Sequence, residues 1–392
     1  MIKLIKSTFY KEKETKKKLV KFIQIAKHLS FGPECEKFER NFAKFQGRKY
    51  CIFLNSGSSA NLAIIQALVN LGMIKKGDAV GFSGITWSTN VMPLLQLGLK
   101  AIPIDVELNT LNVSSRQLLL SLKNHPLKAL FLTNLLGFCD DIDRIRDICR
   151  TRKILLIEDN CESLGSVCKG KKLGNFGLAS TFSFYVGHHM STIEGGCVVT
   201  DNERLATMLA IVRAHGWDRN LTLANQIKIR NKYKVNSTFY SRYTFYDIGF
   251  NLRPTEINGF LGNIQLKYTD EIINKRENNF QKLAGILYKK TDKYYPVKSN
   301  HMDLVSNFAF PLICKTREIR DELVTKCEAK VEIRPIVGGN IASQPFFKKY
   351  MKKETPGMKF PNADLIHAQG LYFGNNPELT DKDIEMLIRI FG

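Results

Sequence analysis

Long apolar runs and closely spaced cysteine pairs are both missing from this sequence. No uninterrupted apolar stretch approaches the roughly 18 residues that a membrane helix needs, and the lysine-studded N-terminus has no apolar block behind it. The nine cysteines form no CxxC or CxC pair and lie at irregular spacings, several of them inside apolar runs. We therefore expect a cytoplasmic protein without membrane insertion, with buried free thiols and with no metal site.

Acidic residues are also scarce relative to basic ones. Lys and Arg number 58 against 37 Asp and Glu, and the resulting net charge of +21 favours an anionic partner such as a nucleotide, a nucleic acid or a membrane surface. The basic residues are spread along the chain apart from one cluster, KEKETKKKLVK at 11–21, and no basic stripe is interleaved with aromatic residues. We interpret the excess as a solvated surface and predict no nucleic-acid partner.

The chain of 392 residues, 44% hydrophobic and 24% charged, is long enough for two or three folded domains. Short β-branched runs alternate with helix-length amphipathic stretches between about 50 and 200, which is typical of a mainly parallel sheet with crossover helices. The predicted strands of this α/β region, seven in all, span 50–54, 79–82, 101–104, 129–133, 154–157, 180–184 and 196–200. The predicted helices span 60–71, 141–151 and 203–213.

A second α/β region follows a long helical pattern over 255–290 that links two lobes. Its predicted strands lie near 306–311 and 330–333, and its predicted helices near 317–327 and 381–391. We place the domain boundary at the composition shift near residue 270. The predicted organisation is an N-terminal segment, a large domain and a smaller C-terminal domain, spanning 1–30, 31–270 and 271–392.

The segment NSGSSAN at 55–61 follows a predicted strand and opens a predicted helix. Backbone N–H groups and hydroxyls converge at the positive end of such a helix, where they can bind a phosphate. An ordinary serine-rich helix cap explains the same residues without a ligand, and the segment alone does not decide between the two.

The apolar strand KILLI at 153–157 delivers the acidic residues Glu158, Asp159 and Glu162 at its C-terminal end. Open α/β sheets bind their ligands at that end of the strands. A carboxylate there can hold a heteroaromatic nitrogen in its protonated form, and the second acid can reach a neighbouring ring substituent. The alternative, a pair of acids capping the next turn, is common for any Glu-Asp taken alone.

A third motif, TFSFYVGHHMSTIEGG at 181–196, places Ser183 on a strand, then the paired histidines His188 and His189 in a loop, then Glu-Gly-Gly before the next strand. A single histidine is usually structural. Two adjacent histidines in a loop behind a sheet strand favour a catalytic role.

Six sequence blocks occur in a fixed order: NSGSSAN, EDNCES, TFSFYVGHH, EGGCVVTDN, RAHGWDRN and FNLRPTEINGFLGNIQL. In this order they resemble the DegT/DnrJ/EryC1/StrS family of vitamin-B6-dependent sugar aminotransferases over about residues 31–266, with RPIVGGN at 334–340 as a weaker continuation. The resemblance implies the aspartate-aminotransferase-like fold (PLP fold type I) with pyridoxal or pyridoxamine 5′-phosphate as cofactor. It also implies a nucleotide-linked keto-sugar substrate and a homodimer with shared active sites.

The resemblance also implies, position by position, which residues bind the cofactor. Gly57, Ser58 and Ser183 correspond to the residues that hold the cofactor phosphate, and Asn251 to a residue that reaches the same phosphate from the other subunit. At the pyridine ring, the implied contacts are Trp87 stacked on the ring, Asp159 at the ring nitrogen, and Glu162 at the ring hydroxyl, where the aminotransferases often have Gln.

Three cations, His215, Arg219 and Arg334, are further candidates for holding a substrate phosphate or the carboxylate of the amino donor. The alternative for all three is a surface or structural cation.

One departure from the family pattern decides the expected chemistry. Family aminotransferases carry the Schiff-base lysine five residues after the serine of the SF motif, and His188 takes that position here, with no lysine between Lys172 and Lys228. The histidine pair is similar to that of the family's 3-dehydratases that act on GDP-4-keto-6-deoxy-D-mannose in the biosynthesis of colitose, an O-antigen sugar of lipopolysaccharide. The CDP-sugar relatives add an iron–sulfur cluster on a cysteine set that includes CxC, which this chain lacks.

The resemblance therefore predicts a lyase that removes the C3 hydroxyl of a nucleotide-linked 4-keto-6-deoxy sugar, with His188 as catalytic acid and base and L-glutamate regenerating the cofactor amine. Two alternatives stay open. A sugar aminotransferase with a displaced lysine is opposed by the lysine-free stretch. A non-catalytic regulator or nucleic-acid binder of the same fold is opposed by the retention of Asp159, Glu162 and the phosphate-binding segment.

Overall fold

The computed structural model describes residues 1–351 and 357–392 and contains two main sheets and a short hairpin. The strands, in chain order, are β1 (Tyr50–Leu54), β2 (Ala79–Ser83), β3 (Lys100–Ile104), β4 (Ala129–Thr133), β5 (Leu155–Asp159), β6 (Val167–Cys168), β7 (Lys171–Lys172), β8 (Ala179–Ser183), β9 (Gly196–Thr200), β10 (Tyr294–Tyr295), β11 (Ala309–Cys314), β12 (Ile333–Pro335) and β13 (Gly370–Gly374).

Helices surround both sheets. In chain order they are α1 (Glu12–Ile25), α2 (Pro33–Gln46), α3 (Gly57–Asn70), α4 (Met92–Gln96), α5 (Ser115–Leu122), α6 (Ile142–Thr151), α7 (Glu203–Arg213), α8 (Leu223–Lys232), α9 (Glu256–Gln265), α10 (Thr269–Leu287), α11 (Arg317–Cys327), α12 (Pro345–Met351), α13 (Pro361–Gln369) and α14 (Asp381–Phe391).

The large sheet has seven strands in the order β1-β9-β8-β5-β4-β2-β3, so the prediction of a mainly parallel seven-stranded sheet is confirmed. Each of the seven strands predicted for this sheet agrees with an observed one to within two residues, whereas the predictions near 306–311 and 330–333 begin three residues before β11 and β12. Strand β9 runs antiparallel to both of its neighbours. Only the loop 184–195 joins β8 to β9, and a parallel pairing would need a crossover helix that this loop does not contain.

The amphipathic pattern places the helices with similar accuracy. Helix α14 is one example: Ile384, Leu387 and Phe391 recur at helical spacing and are buried, and Thr380 closes its N-terminus in a capping box with Asp383. Helices α6, α7, α11 and α14 match their predicted bounds to within one residue.

The predicted long helix over 255–290 is divided by a single 3₁₀ turn, Leu266–Tyr268, between α9 and α10. Helix α9 packs closely on α2 because it carries glycine at the contact. A Cβ on Gly259 would lie 2.5 Å from the backbone nitrogen of Cys35, and one on Gly262 would lie 2.6 Å from the ring of Phe38.

The smaller sheet, in the order β10-β11-β13-β12, belongs to the C-terminal part of the chain. The N-terminal segment lies next to it, since Ile2 forms an isolated parallel bridge with Val331, two residues before β12. One hydrophobic cluster includes both Leu130 of the large sheet and Phe310 of the small one, so the two sheets share buried core. The domain boundaries at 30 and 270 stay predictions.

All nine cysteines are free thiols, and eight of them are buried, as the sequence predicts. Burial raises the pKa of Cys149 to about 12 and that of Cys327 to about 11, so both are neutral thiols near pH 7. Within residues 1–351 and 357–392, no helix is long and apolar enough to cross a membrane.

Candidate active site

A cleft of about 520 Å³ opens at the C-terminal ends of the parallel strands, between the large sheet and the edge of the small one. This is the edge at which open α/β sheets bind their ligands. The predicted site residues that line it are Gly57, Ser58, Trp87, Asp159, Glu162, Ser183, His188 and Arg334. The structure therefore brings together side chains from sequence blocks almost 280 residues apart.

The N-terminus of α3 forms one corner of the cleft. Ser56 caps the helix, because its hydroxyl oxygen accepts a hydrogen bond from the backbone nitrogen of Ser59 over 3.0 Å. Gly57 is required by proximity, since a Cβ there would lie 2.6 Å from the Cβ of Ser183 on β8. The two interpretations of this segment, a serine helix cap and a phosphate-binding site, are therefore compatible. Ser56 caps the helix, while Gly57, Ser58 and Ser183 present donors to the cleft.

The carboxylate of Asp159 is fixed at the floor of the cleft, where the residue is 4% exposed. Its Oδ2 accepts hydrogen bonds from the amides of Asn61 and Asn90, at 2.9 and 2.6 Å, and its Oδ1 accepts one from the backbone nitrogen of Cys161 at 2.9 Å. These three N–H donors fix the position of the Asp159 carboxylate, which lines the cleft where a cationic group of a ligand can meet it.

The turn-capping alternative holds in part for Asp159, whose Oδ1 accepts the hydrogen bond from Cys161 in the next turn, whereas Glu158 has a different structural role. Successive side chains of a strand point to opposite faces. Glu158 is fully buried on the other side, where it accepts hydrogen bonds of 2.7 Å from the backbone nitrogens of Gly174, Phe176 and Gly177. Of this adjacent pair of acids, Glu158 is structural and Asp159 lines the cleft.

Glu162 is a second buried acid of the cleft, anchored by the backbone nitrogen of Leu136 at 2.9 Å. Leu136 adopts a left-handed backbone conformation, φ 51°, that turns this N–H toward the carboxylate. Burial raises the pKa of Glu162 to about 8, against the opposing hydrogen bond from Leu136, and the negative charge of Asp159 adds to the rise. Glu162 is therefore a neutral acid at pH 7, able to donate a hydrogen bond.

His188 stands on the loop after β8, with its ring between Tyr185 and Phe308 at centroid distances of 5.8 and 5.4 Å. Neither ring nitrogen makes a hydrogen bond to the described part of the chain, and Nδ1 is buried. Burial, with a smaller effect from Arg276, lowers the pKa of His188 to about 4. The imidazole is therefore a neutral base at pH 7 that can accept a proton.

His189 differs from its neighbour in position and in hydrogen bonding. It is buried outside the cleft, and its Nε2 hydrogen bonds the carbonyl oxygen of Ser306 over 3.0 Å. Burial holds its pKa well below the usual value for histidine. His189 thus anchors the loop to the segment before β11, while His188 faces the cleft.

The opposite wall comes from the small sheet and from an aromatic ring on the β2 side. Arg334 of β12 is paired with Glu332 at 2.6 Å, and burial raises the pKa of its neighbour Tyr372 to about 12. Trp87 is 54% exposed, so one side of its indole is available to a planar ligand.

Three predicted site residues lie outside this cleft: His215, Arg219 and Asn251. The guanidinium of Arg219 stacks over Trp217 and Tyr243, 4.1 and 4.7 Å from the ring centroids. The imidazole of His215 also packs against Trp217, and the amide of Asn251 is exposed and accepts a hydrogen bond from Arg253 at 3.0 Å. Within one chain these three residues do not contribute to the site.

Several residues of the cleft were not identified from the sequence. Asn90 donates a hydrogen bond to Asp159 and follows β2 in the chain. Its position as a polar residue after the end of a strand is the sequence feature that could have identified it. Tyr185 is two residues from Ser183, inside a motif already recognised. Tyr372 and Phe308 come from the small sheet and carry no local signal, because only the packing of the two sheets brings them to the cleft.

The residues present fit a phosphorylated pyridine cofactor. The N-terminus of α3 and the Ser183 hydroxyl suit the phosphate, the fixed carboxylate of Asp159 suits a protonated ring nitrogen, and the exposed indole of Trp87 suits the ring face. Among the described residues that line the cleft there is no lysine. Within residues 1–351 and 357–392 there is no group of three or more His, Cys, Asp or Glu side chains that could hold a metal ion.

Comparisons with known proteins agree with this geometry. The DegT/DnrJ/EryC1/StrS aminotransferase family model matches residues 10–391, well beyond the blocks recognised in the sequence. GDP-4-keto-6-deoxy-D-mannose 3-dehydratase of Escherichia coli O55:H7 is 36% identical over 93% of this chain and 94% of its own length. The solved structure of the E. coli enzyme with bound hydrated PLP has a TM-score of 0.90 and 33% identity, covering 100% of this chain and 99% of that one.

A further solved structure, of GDP-4-keto-6-deoxymannose-3-dehydratase with a trapped PLP-glutamate geminal diamine, covers both chains completely with a TM-score of 0.88 and 32% identity. The two solved structures share the overall fold of this chain over its full length.

Proposed function

The chain belongs to the DegT/DnrJ/EryC1/StrS aminotransferase family, and on that premise we propose that it is a PLP/PMP-dependent 3-dehydratase of a nucleotide-linked 4-keto-6-deoxy sugar. The proposed substrate is GDP-4-keto-6-deoxy-D-mannose, and the proposed amino donor is L-glutamate. The substrate is supported by the relatives of that name, and the donor by the relative that traps glutamate on PLP.

The chain's own residues account for binding and orientation. Gly57, Ser58 and Ser183 hold the cofactor phosphate at the positive end of α3. Asp159 holds a proton on the pyridine nitrogen by charge attraction and hydrogen bonding. Glu162, neutral at pH 7, donates its proton in a hydrogen bond to the ring hydroxyl. When bound, pyridoxamine phosphate supplies an amine for the C4 ketone and an electron sink that lets the C3 hydroxyl leave.

His188 performs the proton transfers. Its ring is neutral near pH 7, because burial lowers its pKa to about 4, so it can take a proton from the C4′ methylene. The imidazolium that forms is a strong acid in this site. It gives its proton to the C3 hydroxyl, which leaves as water. The products of the full cycle are a 3-deoxy-4-keto sugar and ammonia, so each turnover needs a new amino group from glutamate.

One observation carries the choice of dehydration over amination: His188, and no lysine, faces the cleft at the position where the family pattern has lysine. An aminotransferase needs a primary amine that links to the cofactor and returns a proton to the sugar carbon. Imidazole exchanges protons but forms no stable Schiff base. A non-catalytic role is opposed by the fixed carboxylate of Asp159 and the raised pKa of Glu162, which have no evident purpose in a regulator.

A homodimer completes the proposal. Asn251 reaches the cofactor phosphate of the other subunit, and His215 and Arg219 belong to the neighbouring segment, since Ala214 forms an antiparallel bridge with Asn251. Large apolar side chains that are half or more exposed lie between Arg219 and Asn251 in the sequence, and such a set suits burial against a second copy. They are Phe239, Tyr240, Tyr243, Phe245 and Ile248. The nine free thiols support a reducing, cytoplasmic location.

The state of the bound cofactor tests the proposal. Purified protein with added PLP should convert the aldehyde to the amine when glutamate is added, measured by the loss of aldehyde absorbance and the formation of 2-oxoglutarate. Borohydride treatment before glutamate should leave no cofactor covalently attached to the protein by mass spectrometry. A borohydride-fixed cofactor would indicate a lysine in the site and support the aminotransferase, and no conversion by glutamate would support the non-catalytic alternative.

A further inference from the structure

A buried cation, Arg276 of α10, lies behind the loop that carries His188, and it is 4% exposed. Its Nη2 donates to the carbonyl oxygen of His188 over 3.1 Å. Its Nη1 donates to the carbonyl oxygen of Asn307 over 3.4 Å and to that of Asn375. A single side chain thus joins three main-chain segments: the loop after β8, the segment before β11 and the end of β13.

This guanidinium has no counterion in the described part of the chain. Burial alone accounts for the lowered pKa of Arg276, which falls to about 9, and no carboxylate contributes to it. The group is still a cation at pH 7. Burying a charge without an opposite charge is costly, and three carbonyl oxygens could equally be satisfied by neutral donors. The positive charge therefore needs an explanation beyond main-chain hydrogen bonding.

We propose that Arg276 is a positioning residue for the dehydration: it fixes the main chain at His188 and places an uncompensated positive charge behind the imidazole. Its catalytic importance rests on the proposed function, whereas its position and its charge follow from the contacts themselves.

The charge acts in the direction that the chemistry needs. After burial itself, Arg276 is the cause that lowers the pKa of His188, and it lowers that of His189 as well. A neutral imidazole is ready to accept a proton, and an imidazolium beside a cation gives its proton up more readily to the leaving hydroxyl. The other titratable groups around the ring are His189 and Tyr185 on its own loop and, on the remaining walls of the cleft, Asp159, Cys161, Glu162, Glu194, Arg334 and Tyr372.

The carbonyl contacts act together with those of His189. The imidazole of His189 bonds to the carbonyl of Ser306, whose nitrogen in turn bonds to the hydroxyl of Ser166 over 2.9 Å. Arg276 holds the next residue, Asn307, and the loop at His188. The loop is thus anchored to the segment before β11, and this anchoring keeps the ring of His188 facing the cleft.

Two variants separate charge from contact. Arg276→Met removes the charge and all three hydrogen bonds at similar volume, and Arg276→Lys keeps the charge but cannot bridge three carbonyls. The matched control is Lys275→Met, which removes a positive charge one residue away on the same helix, where the ammonium contacts Tyr10 at 2.7 Å instead of the loop. Circular dichroism and thermal melting establish that each variant is folded.

The first readout is the titration of His188 in the cofactor-free protein by NMR of labelled histidine, with the signal assigned from its loss in His188→Asn. We expect the titration midpoint of Arg276→Met to rise by about half a pH unit or more, and those of Arg276→Lys and Lys275→Met to stay near the wild-type value. Equal protonation of His188 at pH 5 in the wild type and Arg276→Met would overturn the proposal.

The second readout is turnover. The acid limb of the pH profile of kcat should move to higher pH in Arg276→Met, in step with the NMR midpoint of His188. Arg276→Lys should lose kcat by about tenfold with little change in KM, because the loop that carries His188 is held by fewer hydrogen bonds. If Arg276→Met does not fold, the lysine variant decides the outcome, and wild-type kcat in it would overturn the positioning role.

Failure of the proposed function gives a different result. A wild-type protein that releases no 3-deoxy sugar overturns the dehydratase assignment, whatever the titration shows. If the titration midpoint of His188 is the same in Arg276→Met as in a wild-type protein that dehydrates its substrate normally, the proposed role of Arg276 is overturned.

Discussion

The predicted site residues at the edge of the large sheet line the cleft, whereas those of the segment 215–251 do not. At the sheet edge, Asp159, Ser183 and His188 converge on one cleft of a single chain. In the segment, the predicted residues lie outside that cleft, and large apolar side chains of the same segment are exposed to solvent. A chain rarely leaves so many large apolar side chains uncovered without a partner. We infer that the first region is the part of the site that one chain supplies, and that the second region contacts a second copy.

The largest expected effect belongs to the sheet edge. His188→Asn keeps the polarity and approximate size of the side chain but removes the titratable nitrogen, so dehydration should fall by ~10²–10⁴-fold, as is typical for the loss of a general acid and base. PLP binding, followed by absorbance titration, should change little because His188 is not among the phosphate or ring-nitrogen contacts.

The matched control is His189→Asn, one residue away. His189 contacts Ser306 outside the cleft, so its loss should reduce turnover less than that of His188. If His189→Asn abolishes exchange of the C4′ proton while His188→Asn leaves that exchange intact, the assignment of the base is wrong by one residue.

Mixed dimers test the second region. Gly57→Ala places a Cβ 2.6 Å from Ser183 and damages the phosphate corner of its own subunit, whereas Asn251→Ala damages the corner of the partner. A dimer with one subunit of each kind has one intact site and one site with both defects. Co-expression with two different tags should yield up to half of the wild-type activity, while each homodimer stays well below that. A fully active monomer on a sizing column would contradict the shared site.

A smaller effect is expected from Glu162→Gln, because glutamine reproduces the neutral acid. The folded-state pKa of Glu162, about 8, lies above its ordinary value of 4.5, so the folded protein binds more protons than the unfolded one and loses stability as pH rises between these values. The cofactor-free variant should therefore melt at a temperature higher than the wild type by about 2 °C or more at pH 8.5, and at nearly the same temperature at pH 4.5. A difference of the opposite sign at pH 8.5 would mean that Glu162 is stabilised as an anion.

The smallest expected effect is that of metal removal. The cysteine spacings provide no ligand set for an iron–sulfur cluster, so activity should survive treatment with chelators under anaerobic conditions. The readouts are turnover and the visible spectrum of the untreated protein. Stoichiometric iron and sulfide would move the assignment to the CDP-sugar branch of the family.

The sequence carries enough information to place much of the sheet-edge half of the site, because its signals are local. An apolar strand that ends in Asp159, or a helix that begins at Gly57, can be recognised within ten residues, and the parallel strand order then brings the two together. Even there, the antiparallel direction of β9 was not predicted, since it depends on the short connection 184–195 rather than on the strand itself.

Residues that act from a distance could not be found in this way. Arg276 lies 88 residues from His188 in the chain, on a helix whose sequence looks like any other amphipathic helix. Tyr372 reaches the cleft only because β13 pairs with β12 at the edge of the second sheet. Such contacts depend on how separate elements pack, which no local pattern encodes.

The fate of the amino group tests the central claim most directly. The protein would be incubated with PLP, ¹⁵N-labelled glutamate and a panel of 4-keto-6-deoxy nucleotide sugars, and nitrogen would be followed by NMR and mass spectrometry. A dehydratase with His188 in the cleft should release the label as ammonia, one equivalent for each 3-deoxy sugar formed, and GDP-4-keto-6-deoxy-D-mannose should react. Label retained at C4 of a sugar that keeps its C3 hydroxyl would show an aminotransferase and contradict the account.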